Sequence, residues 1–373
     1  MAGIGTIGVI GGGQLARMMV GPAVQLGIEL RVLSEAPDAS AAIATTAIGD
    51  HRDPAAVLAF ARGVDAVTFD HEHVPQAVLE LLLAEGIPVR PGPSALRFAQ
   101  DKLAMRSRLT ELGLPVPDWA AVADAREVEA FLREHGDVAV LKTPTGGYDG
   151  KGVRIVRSAA DAADWLARGG PLLIEELVPF RRELAQSVAR RPSGQTAFWP
   201  LVESIQREGV CAEVIAPAPA SSGRESAVAA EIAVAVAEGL DVTGVLAVEL
   251  FETDDERILV NELAMRPHNS GHWSIEGSTT SQFEQHLRAV LDLPLGDTAV
   301  LAPWTVMVNV LGGPADGDLA RPRARALGEH PDVAVHLYGK TPRPGRKIGH
   351  VTALGAELDD VAYRARAAAA AFD

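Results

Sequence analysis

The sequence predicts a mixed α/β and α+β chain: a doubly wound parallel sheet first, then a small α+β unit, then a larger region of antiparallel strands with helices. Three observations carry this. Short apolar runs alternate with helical patterns from Thr6 to Leu83, which is the signature of a parallel sheet built from strand–helix units. A proline-rich break follows at Gly113–Asp118 (GLPVPD). Beyond Leu184 the strands lengthen, as in AVELF and ILVNEL.

Element by element, Thr6–Ile10 (TIGVI) is a strand, three glycines form a turn, and Gln14–Leu26 carries apolar residues at helical spacing. Glu29–Leu33 is a second strand. Pro54 opens a helix over Ala55–Ala61, where its missing N–H costs nothing. Ala66–Phe69 is a third strand and Gln76–Leu83 a helix. Gly113 suits a helix C-cap, and the prolines after it favour extended backbone. The next unit has strands at Ala139–Lys142, Val153–Val156 and Leu172–Glu176 and a helix near Ala159–Ala167. The Ala-rich tail Ala365–Phe372 is helical. The expected division is 1–115, 116–183 and 184–373.

Composition bounds the function. The 373 residues exceed one ordinary domain. With 47% hydrophobic and 22% charged residues, the chain is an ordinary globular one. A net charge of -15 argues against nucleic acid as a partner. The single cysteine, Cys211, excludes an intrachain disulfide and a Cys-based metal site, which fits a reducing cytoplasm. No basic leader is visible, and the most apolar stretch, Ala227–Leu250, is broken by Glu231, Glu238, Asp241 and Glu249, so no membrane span is expected.

Six motifs carry chemistry. Gly11–Ala16 (GGGQLA) places a tight turn before a helix N-terminus, which attracts anions; Glu35 lies roughly 20 residues on, where a dinucleotide site keeps its ribose-binding acid. Lys142–Gly152 (KTPTGGYDGKG) joins two strands with four glycines and two lysines. It can cover a triphosphate, with Lys142 and Lys151 neutralising charge, yet it is not a Walker loop because Gly152 follows Lys151. Ile174–Val178 (IEELV) ends a strand in two carboxylates able to meet adenine and ribose. Glu249 and Glu262 lie in apolar strands flanking the turn at Asp254–Glu256. With Asn261 they form a hard-oxygen set of the kind that holds Mg²⁺. Arg266–His272 (RPHNSGH) concentrates anion-handling groups. Tyr338–His350 (YGKTPRPGRKIGH) gathers Lys340, Arg343, Arg346 and Lys347 in an acidic chain, as for a phosphate. The plain alternatives are a strand–helix turn, a hairpin tip, surface glutamates, and a solvated basic loop.

Together these motifs resemble the ATP-grasp superfamily and, more closely, its N5-carboxyaminoimidazole ribonucleotide synthetase family. The resemblance spans nearly the whole chain and rests on GGGQLARM, TFDHEHVP, DKLAMR, KTPTGGYDGKG, EELV with Glu183, NELAMRPHNSGH and YGKTPRPGRKIGH. It implies an ATP-grasp fold: a biotin-carboxylase-like N-terminal domain that binds substrate (1–115), a small lid domain (116–183), and a large domain with a C-terminal substrate-binding region (184–373). It implies ATP and Mg²⁺ as cofactors. ATP would be held by Lys102, Lys142, Gly147, Tyr148, Asp149, Gly150, Lys151, Gly152, Val153, Glu175, Glu176, Leu177, Val178, Glu183, Gln206, Asn261 and Glu262, and the metal by Glu249 and Glu262. Arg266, His268, Asn269 and Lys347 would be catalytic, handling bicarbonate and carboxyphosphate. Aminoimidazole ribonucleotide would meet Gln14, Leu15, Glu72, Tyr148, Asp149, Lys340, Arg346 and Lys347. The 147–153 loop would be the lid.

Two positions depart from the family pattern: Asp70 stands where Glu is usual, and Gln206 where an ATP-contacting His is frequent. The implied activity is carboxylation of the ribonucleotide by ATP and bicarbonate in purine biosynthesis, by a cytoplasmic homodimer that binds neither nucleic acid nor membrane. The rivals are another ATP-grasp carboxylase, a nicotinamide-dependent oxidoreductase built on the Gly11–Ala16 turn, and a non-catalytic nucleotide-binding regulator.

Overall fold

The structure, a computed structural model, describes residues 4–147, 152–207 and 209–373. Among these residues the strands form three sheets. The first comprises β1 (Gly5–Ile10), β2 (Ile28–Ser34), β3 (Thr45–Ile48) and β4 (Ala66–Phe69), all parallel in the order β3-β2-β1-β4. Its helices are α1 (Gln14–Leu26), α2 (Pro54–Ala61) and α3 (Gln76–Ala84), and α4 (Pro93–Gln100) and α5 (Lys102–Glu111) follow. The periodicity located α1–α3 to within a residue or two. It missed α4 and the start of α5, whose sequences (PSALRFAQ, KLAMRSRLTE) mix charge with apolar residues, although Gly113, with φ +68, ends α5 as expected of a C-cap.

The second sheet is small and antiparallel: β5 (Trp119–Val122), β6 (Ala139–Lys142), β7 (Val153–Val156) and β8 (Leu172–Glu176), in the order β5-β8-β6-β7. α6 (Ala125–His135) covers it. The helix expected near Ala159–Ala167 is a 3-10 turn over Ala159–Ala162 running into α7 (Ala163–Leu166). Val128, Phe131, Leu141, Trp165 and Ile174 give this unit a core of its own.

The third sheet is the largest. It holds β9 (Phe180–Arg190), β10 (Thr196–Phe198), β11 (Val202–Arg207), β12 (Val210–Ala216), β13 (Gly244–Thr253), β14 (Ile258–Ala264), β15 (Trp304–Leu311), β16 (Ala334–Leu337) and β17 (Lys347–Gly355), paired antiparallel. α8 (Gly223–Gly239), α9 (Ser274–Gly277), α10 (Gln282–Val290), α11 (Ala320–Glu329) and α12 (Leu358–Ala370) pack around it. α8 starts with a capping box in which Ser222 and Glu225 satisfy each other's backbone N–H.

One continuous core joins the first and third sheets: Ile10, Val67 and Phe69 share it with Val188, Leu246 and Val260. A buried histidine also spans them. His286 Nδ1 accepts from the Val245 N–H at 3.0 Å and its Nε2 meets Thr68 Oγ1 at 2.8 Å. No helix among the described residues is long and apolar enough to cross a membrane.

Candidate active site

Two cavities meet at the edge of the large sheet. One, of about 420 Å³, lies between the small and large sheets. The other, of about 460 Å³, lies between the first sheet's loops and the large sheet. Lys102, Glu249, Glu262 and His268 line both, so a group at that junction is reachable from either side.

The junction is built by the β13–β14 hairpin. Glu249 and Glu262 face each other across the register, and the next pair is Leu250 with Val260, so Asn261 is an extra, bulged residue. A bulge re-aims side chains; here Asn261 and Glu262 both reach the cavity between the sheets. Glu183 on the neighbouring β9 lines it too. Burial, then repulsion from Glu262 and Glu183, pushes the Glu249 carboxyl up to about 7; burial does the same to Glu183. Two carboxyls raised in this way beside a third, Glu262, make a site short of positive charge, and the hard oxygen donors of the Glu249–Glu262 pair suit a divalent cation. In its place Lys102 pairs with Glu262. Asp101 caps α5 by accepting from the Leu103 and Ala104 N–H groups, which sets Lys102 on the first turn.

The cavity between the sheets is graded along its length. Val140, Leu177, Val178, Phe180 and Phe251 line one part, the two phenylalanine rings stacked at 4.6 Å. Lys142, Asn261 and Lys347 line the charged part. Lys142 Nζ lies 2.5 Å from Glu175 and 3.4 Å from Asn261 Oδ1. Glu176 is partly exposed; its Oε1 accepts from the Asp118 N–H. Glu175 also lines the cavity, but its buried carboxylate is taken by Arg106 and Lys142. Gln206 lines the cavity and donates to Ser204 Oγ at 3.1 Å. Val153 lines the same cavity, whereas Gly147 lines the other; Gly152, with φ +72, packs on Thr143. Tyr148, Asp149, Gly150 and Lys151 lie outside the described residues.

On the other side, Arg266 Nε donates to Glu72 Oε2 at 2.9 Å, and the Met265 N–H holds the second Glu72 oxygen. Arg266 thus has a carboxylate partner from a distant loop, and both line the second cavity. His268 accepts from the Ser270 N–H at Nδ1, so the neutral ring carries its proton on Nε2, 3.2 Å from Glu249 Oε1. Burial, then Arg266 and Lys347, push His268 down to about 3. It therefore faces Glu249 as a donor. Asn269 follows in the wall of the cavity between the sheets, beside the Cys211 thiol.

The basic segment does not form the single cluster that its sequence suggested. Lys340 reaches Gln14 Oε1 at 2.6 Å, Lys347 lines the cavity between the sheets, and Arg346 bonds the Thr341 carbonyl within its own loop and lines neither cavity. His350 is buried against the Tyr338 hydroxyl. The Leu15 side chain is in the core, and its backbone faces the Asp70 carboxyl. The Gly11–Ala16 turn is not an open dinucleotide site: Asp70 Oδ1 accepts from the Ala16 N–H at 2.8 Å, and a Cβ on Gly13 would land 1.9 Å from Asp70 Oδ2. Glu35 pairs with His51 instead of awaiting a ribose.

Sequence reading missed Arg106, Phe180, Phe251 and Cys211 in or behind these walls. For Arg106 a signal existed: it lies four residues after Lys102, on the same helix face.

Three family models match the chain: a ribonucleotide synthetase preATP-grasp domain over residues 4–100, an ATP-grasp domain over 107–283, and a phosphoribosylaminoimidazole carboxylase C-terminal domain over 305–364. The N5-carboxyaminoimidazole ribonucleotide synthase of Mycobacterium tuberculosis is 51% identical over 97% of this chain and 86% of its own. That of Corynebacterium ammoniagenes is 50% identical over 98% and 92%. Among solved structures, the Thermus thermophilus synthetase superposes with a TM-score of 0.88 at 38% identity, over 98% of each chain. The Aspergillus clavatus synthase in complex with ADP and 5-aminoimidazole ribonucleotide gives 0.89 at 31% identity, over 99% of this chain and 98% of that one. Shared identity of this extent, across the same succession of sheets and over both cavities, places the chain in the N5-carboxyaminoimidazole ribonucleotide synthase family of ATP-grasp ligases.

Proposed function

We propose that the two cavities hold the two halves of one reaction: ATP between the small and large sheets, and 5-aminoimidazole ribonucleotide with bicarbonate on the Glu72–Arg266 side. The product is N5-carboxyaminoimidazole ribonucleotide, with ADP and phosphate released. The observation that carries this is the shared junction of Lys102, Glu249, Glu262 and His268. A nucleotide lying along the graded cavity, base against Phe180 and Phe251, brings its terminal phosphate there.

Lys142, Lys102 and the 147–153 loop neutralise the phosphates, Glu176–Val178 meet the base, and Glu183 meets the ribose. Glu249, Glu262 and Asn261 are the donors that would hold Mg²⁺, whose charge, when bound, offsets that of the phosphates. Glu72 fixes Arg266 by its Nε edge, so the guanidinium can hold bicarbonate in line with the γ-phosphate. Bicarbonate oxygen attacks phosphorus, the bond to ADP breaks, and carboxyphosphate forms. Its breakdown to CO₂ and phosphate beside the ribonucleotide lets the exocyclic amine attack carbon and pass its proton to the phosphate just formed. Lys347 and Asn269, facing the same space, stabilise the transferred anion. The ribonucleotide phosphate is assigned to Lys340, which Gln14 holds at 2.6 Å. The same reading includes a cytoplasmic homodimer, which light scattering tests for its oligomeric part.

The test is ADP release with purified protein. It should require both bicarbonate and 5-aminoimidazole ribonucleotide for full rate. Release indifferent to both would remove the assignment.

A further inference from the structure

Arg106 lies on α5, behind the nucleotide cavity rather than in its wall. Its side chain is 0% exposed and that of Glu175 is 3%. The guanidinium makes three contacts: its Nε pairs with the Glu175 carboxylate, and its two terminal nitrogens donate at 2.8 Å to the carbonyls of Val260 and Asn261. Glu175 in turn holds Lys142 Nζ. Glu175 therefore stands between two cations, one buried behind it and one in the cavity.

The charge count decides what this means. A lone carboxylate beside Lys142 would cancel the ammonium, and the cavity would present a neutral pair where a triphosphate is expected. With Arg106 behind Glu175, the three groups sum to one positive charge, and it is the Lys142 ammonium that faces the open space. Electrostatic attraction is strong in so dry a setting, so a cation placed behind the wall counts. The carbonyl contacts have a second effect, since they tie down the strand at the Asn261 bulge.

We infer that Arg106 is a positioning residue for nucleotide binding: by neutralising Glu175 from behind, it leaves the Lys142 charge for the phosphates of ATP. The inference rests on the proposed seat of ATP beside Lys142.

The experiment compares calorimetric binding of ADP and adenosine, and KM for ATP against kcat, in R106M, R106K, R106M/E175Q and K142M. R106M should weaken ADP about tenfold or more, the loss of one charge-assisted contact, and leave adenosine nearly unchanged. Its KM for ATP should rise more than kcat falls. R106K, which keeps the charge, should stay near wild type. The double variant should recover most of the ADP affinity, because no carboxylate remains to claim Lys142. A purely structural bolt would weaken adenosine and ADP alike and would gain nothing from E175Q; either result overturns the inference. Should R106M not fold, the double variant replaces a buried pair by two neutral groups, a change that buried sites tolerate better. There, ADP affinity within about threefold of wild type supports the inference and a tenfold loss defeats it. K142M separates the two readings. If it binds ADP like wild type, the seat of ATP is wrong; if K142M weakens ADP and R106M does not, only the role of Arg106 falls.

Discussion

The chain has two glycine-rich turns that read alike as anion sites, Gly11–Ala16 and the segment after Lys142, and the fold treats them oppositely. At the first, the helix N-terminus has the geometry a phosphate needs, but Asp70 from β4's end supplies the carboxylate that takes it. At the second, Lys142 ends β6 in the wall of a cavity, and the nearest carboxylate, Glu175, is itself neutralised by Arg106. A glycine turn is permissive for an anion. Which charge a distant segment lays against it decides whether the anion comes from the chain or from a ligand.

The largest effect that could break this contrast is at the junction. Glu262→Gln removes one of two facing carboxylates on the hairpin and should cut ADP release by about a hundredfold or more, with circular dichroism unchanged. Near-normal turnover would detach the chemistry from this cavity. Arg266→Ala should follow, with a loss on the order of 10² in carboxylation and little change in binding of a non-hydrolysable ATP analogue. A loss of analogue binding as large as the loss of rate would move Arg266 to the nucleotide.

A paired comparison of lysines sharpens the division of labour. Lys142→Met should raise the KM for ATP about tenfold, and Lys340→Met should do the same to the ribonucleotide. Exchange of the two effects would reverse the assignment of the cavities. Lys347 is the revealing third member. Its sequence neighbours suggest the ribonucleotide, but its place in the nucleotide cavity makes kcat the parameter expected to fall.

At the first turn the expected effect is on stability. Asp70→Ala strips the N-terminus of α1 of its carboxylate and should cost about 1–2 kcal/mol in urea unfolding. ADP affinity should not change, and a drop in it would tie this turn to the nucleotide after all.

The last test concerns pH. Burial pushes His286 down to about 3 from its ordinary 6.5. The unfolded chain therefore takes up a proton first. The contribution of this residue is intact above pH 6.5 and drains away as pH falls from 6.5 towards 3, by at most about 1.4 kcal/mol per pH unit. His286→Gln should lower stability at pH 7 and flatten the loss between pH 7 and 5. A slope equal to wild type would mean that other histidines with lowered pKa, such as the half-buried His71, carry that dependence.

The sequence alone determined much of this protein. The strand-turn-helix opening, the parallel first sheet, and the strands at Ala139–Lys142 and Leu172–Glu176 follow from local apolar periodicity, which survives folding because each element must bury one face. The hairpin around Asp254–Glu256 was legible too, but its regular register would set Glu249 opposite Asn261; the bulge that brings Glu262 there is a feature of the folded sheet. The family was legible because its motifs are contiguous. What only the tertiary structure decided are the partnerships over long separations: Asp70 on α1, Glu72 on Arg266, Arg106 behind Glu175, and the parting of Lys340 from Lys347. The physical reason is that a side chain's charge acts through space. Periodicity reports which face of an element is buried, and it carries no information about which distant charge that face will meet.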